Sequence, residues 1–268
     1  MPGFVLVLFT VCWISQAVWL PTKSECEAAK RDVLGTLSAL DQGLLGSGVV
    51  TSAFVPRRAV RHLSPGPVYP VMYVALGDST VYGVGAGSQA SNYVSRLYER
   101  LRSLYPHARL ANLGVGGATA ADVLDGQLRR AVALRPDLVT LSIGPNDITR
   151  QRDVGQYERD IGKILQTLER ETTAVVVLNL IPDLTVTPQF RGTERAAIVG
   201  RRVVLFNEVL SRQARLYGAE VVDLYGPSQQ EVPRHPGLIG ADGYHPSDEG
   251  YARWAELMWQ GIETRMQR

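Results

Sequence analysis

Between residues 71 and 262, short apolar runs of strand length alternate five times with segments of helical periodicity. The apolar runs are 71–76, 109–113, 138–143, 174–181 and 220–224, and the helical segments are 93–104, 119–134, 154–171, 194–217 and 247–262. In the first helical segment Val94, Leu97, Leu101 and Leu104 share one face; in the second Ala120, Val123, Leu124, Leu128 and Val132 do. Strands separated by helices of this length pair in parallel, and a parallel sheet needs cover on both faces. The expected fold is therefore α/β: a three-layer α/β/α sandwich around a doubly wound, five-stranded parallel sheet. Such sheets place their chemistry outside the carboxyl ends of the strands. Ser79, residues 114–117, residues 144–147 and Asp183 each follow such an end, so four distant segments converge on one edge.

Each of these segments has an ordinary structural reading beside a chemical one. Ser79, in Gly77-Asp78-Ser79-Thr80, suits a helix N-cap or a nucleophile. The glycine-rich stretch 112–119 suits a tight turn or a phosphate cradle, and its exposed N–H groups also suit an oxyanion. It lacks the spacing of a dinucleotide fingerprint and follows the second strand, not the first. Gly144-Pro145-Asn146-Asp147 reads as a polar turn, or as an amide aimed at an oxyanion. His62, His107 and His235 read as surface or core histidines, but His245 follows Asp242 by three residues and precedes a helical segment. A turn of that length lets the carboxylate reach Nδ1–H and leaves Nε2 free for a serine hydroxyl. A hydroxyl needs such a base to attack at neutral pH, which points to acyl transfer.

Taken in order, Gly-Asp-Ser, the glycine turn, Gly-Pro-Asn-Asp and Asp-x-x-His resemble the SGNH superfamily of GDSL-type esterases and lipases. The resemblance covers residues 71–262 and implies the flavodoxin-like sandwich of the SGNH-hydrolase type. It implies a catalytic triad of Ser79, Asp242 and His245. It also implies an oxyanion hole made by the Ser79 N–H, Gly117 (with Gly116 as the neighbouring candidate) and Asn146. Pro145 departs from the family pattern by fixing φ just before Asn146. The Gly-x-Ser-x-Gly elbow of the α/β-hydrolase fold is absent. The implied activity is hydrolysis of carboxylic esters of short acyl, lipid or acetylated-glycan type, without cofactor or metal. A glycan O-acyltransferase on the same triad and a non-catalytic binding module on a hydrolase scaffold are the alternatives. Loops 81–91, 183–193 and 225–241 are expected to border the substrate, with Tyr82, Leu184, Val186, Phe190, Tyr225 and Leu238 as apolar contacts.

Composition narrows the partners. With 28 Lys and Arg against 26 Asp and Glu, the net charge of +2 gives no electrostatic basis for binding nucleic acid. Two cysteines, Cys12 and Cys26, are too few for a disulfide scaffold, and no Cys/His/Asp cluster has metal-ligand spacing. Residues 4–20 are almost entirely apolar and uncharged. They fit a secretory signal cleaved after Ser15-Gln16-Ala17, an uncleaved membrane anchor, or a buried core helix. The first two readings place the protein outside the cell or in its envelope, the second with membrane association through residues 4–20; the third leaves it cytoplasmic. The expected organisation is a signal or anchor at 1–20, a peripheral helix and linker at 21–70, and the hydrolase domain at 71–268.

Overall fold

Five parallel strands make the central sheet: β1 (Met72–Gly77), β2 (Arg109–Asn112), β3 (Leu138–Ser142), β4 (Val175–Asn179) and β5 (Glu220–Val222), in the order β2-β1-β3-β4-β5. They belong to a computed structural model that describes residues 61–63 and 70–266. The apolar segment 4–20, the helix expected within 21–70 and both cysteines lie outside the described residues.

Strand residues alternate between two cores, as a period of two requires. Val74 and Leu76 of β1, Val139 and Leu141 of β3 and Leu178 of β4 face one core. Tyr73 and Ala75, Leu138, and Val175 and Val177 face the other. The buried hydroxyls of Tyr73 and Thr140 pair at 2.9 Å, so neither is left unbonded in the interior.

The helices sort by core. Helix α1 (Ser79–Tyr82) is a single turn after β1, and α2 (Tyr93–Leu104) leads to β2. After β2 come α3 (Ala120–Asp122), a π-helical turn (Val123–Gln127) and α4 (Leu128–Ala133). The short α5 (Pro145–Thr149) and the long α6 (Val154–Glu171) follow β3, and α7 (Ala196–Tyr217) follows β4. After β5 come α8 (Tyr225–Glu231) and α9 (Asp248–Glu263). Residues of α2 and α9 fill one core, while α3, α4, α6 and α7 fill the other. Leaving β1, the chain steps to one side for β2 and then across to β3. Right-handed crossovers in opposite directions put their helices on opposite faces. The reversal between β1 and β3 is the switch point at which doubly wound sheets form their crevice.

The strands lie within one or two residues of their expected positions. Three segments differ. Residues 119–134 are one helix by periodicity, but a π turn interrupts them. The stretch 225–241, expected as loop, contains α8. Leu63, assigned by sequence to the linker, is buried in the α2–α9 core, and its N–H donates to Arg265 O at 2.8 Å. Arg61 donates to Ala174 O at 3.2 Å and to Glu169 O at 2.5 Å, so the domain's packing begins upstream of residue 71.

Candidate active site

Strand β1 ends in Gly77, and the turn into Ser79 depends on that residue having no side chain. Gly77 has φ +146°, and a Cβ there would lie 1.9 Å from the carbonyl oxygen of Ser142 on β3. Any other residue would push β1 and β3 apart at the switch point. Asp78 then caps α1, its Oδ1 accepting from the Thr80 N–H and Thr80 Oγ1, each at 2.9 Å. Burial pushes the Asp78 carboxyl up to about 6, against those two hydrogen bonds and nearby His245, which lower it. Ser79 is therefore the first residue of a helical turn, where backbone N–H groups have no intrahelical acceptor.

His245 comes from the loop before α9. Asp242 Oδ1 accepts from the N–H groups of Tyr244 (2.9 Å) and His245 (3.0 Å), which folds the three-residue spacing into a turn. That turn leaves Oδ2 facing the ring, 2.5 Å from His245 Nδ1, and Nε2 lies 2.9 Å from Ser79 Oγ. Partial burial alone would raise the Asp242 carboxyl. Hydrogen bonds from the His245 ring and the two N–H groups outweigh it and hold the carboxyl below its ordinary value. The two ends of the domain are tied together beside this chain of contacts: Tyr251 Oη donates to Val84 O at 2.6 Å, and Gly87 N–H to Asp248 Oδ1 at 2.7 Å.

The glycine turn and the Asn146 turn meet alongside. Gly117 has φ +78°, whereas Gly116 has an ordinary φ, so the left-handed position falls on the residue that motif matching prefers. Asn146, second residue of α5, donates from Nδ2 to Ala118 O at 3.0 Å. Asp147 is wholly buried, and its Oδ2 accepts from the Ala120 N–H at 3.0 Å. Burial pushes its carboxyl up to about 6, against that hydrogen bond and Arg152, which lower it. Asn146 and Asp147 together fasten α5 to the turn that carries Gly117.

One residue escapes sequence reading. Gln127 is buried at the end of the π turn and holds the Gly77 peptides with both ends of its amide. Its Oε1 accepts from Gly77 N–H at 2.9 Å, and its Nε2 donates to Gly77 O at 2.8 Å. Gln127 stands four residues after Val123 and three after Leu124, on the apolar face of the segment, but a lone polar side chain there does not show which backbone groups it meets. Asp147 is legible in Gly-Pro-Asn-Asp only as a turn residue.

Of the apolar contacts expected from the loops, Leu184, Val186 and Leu238 line a cavity beside Ser79 and His245. Phe190 instead belongs to the core, and Tyr82 is exposed. Among the described residues no group of His, Cys, Asp and Glu is arranged to hold a metal ion. No helix among them is long and apolar enough to cross a membrane.

A model of the GDSL-like Lipase/Acylhydrolase family matches residues 75–253. The chain is similar to the GDSL-like esterase Rv1075c of Mycobacterium tuberculosis, 29% identical over 225 residues, which cover 82% of this chain and 69% of that one. It is similar also to esterase TesA of Pseudomonas aeruginosa, 26% identical over 198 residues, covering 71% of this chain and 87% of that one. Among solved structures, Axe2, an acetylxylan esterase from Geobacillus stearothermophilus, superposes with a TM-score of 0.59 at 21% identity, covering 73% of this chain and 95% of that one. At that identity the likeness concerns the fold.

Proposed function

Because this chain belongs to the GDSL-like Lipase/Acylhydrolase family, we propose that it hydrolyses carboxylic esters through an acyl-enzyme on Ser79. The observation that carries this reading is the unbroken path from Asp242 through His245 to the Ser79 hydroxyl. Ser79 Oγ attacks the ester carbonyl carbon while His245 Nε2 takes its proton. Asp242 holds the Nδ1 proton in place and stabilises the imidazolium. The tetrahedral oxyanion rests on the N–H groups of Ser79 and Gly117 and on the Asn146 amide. That amide nitrogen carries two hydrogens and uses one on Ala118 O, so one remains for the oxyanion. The imidazolium then gives its proton to the departing alkoxide, and the alcohol leaves. Water, deprotonated by His245, attacks the acyl carbonyl and releases the acid, and the proton returns to Ser79 Oγ.

The test is direct. A fluorophosphonate labels Ser79, and Ser79→Ala loses both the label and at least about 10³-fold in turnover of short aryl esters while melting within a few degrees of the parent. Turnover retained by Ser79→Ala within tenfold would overturn the assignment.

A further inference from the structure

The nucleophile borders a cavity of about 100 Å³. Ser79 and His245 stand at it, and Leu184, Val186, Val232, Leu238 and Leu257 form much of its wall. These five come from the turn after β4, the end of α8, the turn at Pro236–Leu238, and α9. The charged groups in the wall are already engaged. Arg253 donates to Glu231 from Nη2 at 2.8 Å and from Nε at 2.9 Å, and to Glu256 from Nη1 at 3.0 Å. Asp183 Oδ1 accepts from the Thr185 N–H and hydroxyl, and Oδ2 accepts from Gln229. A ligand therefore meets aliphatic surface with no charge left over.

We propose that this cavity takes the acyl chain of the ester, as a straight aliphatic chain of about four to six carbons counted from the carbonyl. The proposal rests on Ser79 being the nucleophile. Size follows from comparison: an apolar cavity of about 150 Å³ holds the six carbons of benzene, so about 100 Å³ holds on the order of four beyond the carbonyl. The acyl side follows from the order of events. The acyl group stays bonded to Ser79 Oγ while the alcohol departs and water enters. Contacts in a recess beside Ser79 therefore serve the acyl group in both acylation and deacylation, whereas contacts to the alcohol would serve only the first step. Each methylene buried here raises kcat/KM about fourfold until the recess is full.

Two substrate series measure this: p-nitrophenyl acetate, butyrate, hexanoate and dodecanoate vary the acyl chain, and alkyl acetates from ethyl to hexyl vary the alcohol. Both are run on the parent, Val186→Phe and Val232→Phe, each change falling at a half-buried wall position. Active sites are counted by fluorophosphonate titration, so misfolded protein drops out of the rates. The expected parent profile peaks at butyrate or hexanoate, and each variant lowers the hexanoate-to-acetate ratio of kcat/KM at least tenfold. The alcohol series changes less than about threefold. A parent maximum at acetate, an unaltered ratio in both variants, or a variant effect that follows the alcohol series would overturn the proposal. Absence of label on Ser79 defeats the nucleophile reading; labelled Ser79 with an unmoved ratio defeats the cavity alone.

Discussion

Asp147 combines a buried carboxyl with one oxygen on the Ala120 N–H and the other 4.0 Å from the Arg152 guanidinium. Its carboxyl lies near 6 when folded, above the ordinary value it regains on unfolding. The neutral form is thus favoured in the folded state. Its contribution to stability is complete below about pH 4 and is lost as pH rises through about 6. An asparagine stays neutral throughout and keeps an acceptor for Ala120. The stability of Asp147→Asn relative to the parent should therefore rise by on the order of 1–3 kcal/mol between about pH 4 and 7. Denaturant melts at several pH values measure it, and a difference independent of pH would refute the assignment. Ser79, Asp242, His245 and Asn146 can be singled out in the sequence because each occupies a local motif: a turn of three residues, or a strand end. Asp147 and Gln127 cannot. Their roles are contacts with Ala120 and Gly77, which lie 27 and 50 positions away.

Among the elements, the π turn Val123–Gln127 is joined directly to the strand end that leads into Ser79. It places Gln127 against the peptides on both sides of Gly77, two residues before Ser79. Gln127→Leu strands the buried Gly77 N–H, at a cost of about 1–3 kcal/mol. It also frees the end of β1 to shift relative to His245. On the proposed mechanism, turnover should fall at least about tenfold with KM changed less than about threefold, since displacing Ser79 weakens the reacting geometry more than substrate contact. Steady-state kinetics with a thermal melt read both effects; a fall in melting temperature with kcat unaltered would leave Gln127 a purely structural role. Strand and helix positions are readable because burial on both sides of a parallel sheet writes long apolar runs into the sequence. The π turn is not. Its buried residues Val123 and Gln127 keep the four-residue spacing of an ordinary helix face, so nothing in the pattern marks the widened turn.

For the molecule as a whole, the five-stranded parallel sheet is implicit in the alternation of elements, whereas the order β2-β1-β3-β4-β5 and the upstream boundary are not. Leu63 follows no periodic run and precedes Ser64-Pro65-Gly66-Pro67, so nothing local marks it as core. Its burial in the core that α2 and α9 help fill predicts that Leu63→Ala costs about 2–4 kcal/mol and lowers the melting temperature by roughly 5–12 °C, with kcat unaltered. A shift below about 2 °C would return this segment to the periphery. The contact between Ser79 and His245 spans 166 positions along the chain. Synthesis proceeds from the N-terminus at about 5–20 residues per second, so Ser79 precedes His245 by roughly 8–33 s. During that interval Ser79 is present without the histidine proposed to deprotonate it. On the proposed mechanism, ester hydrolysis therefore waits for the C-terminal segment that carries His245.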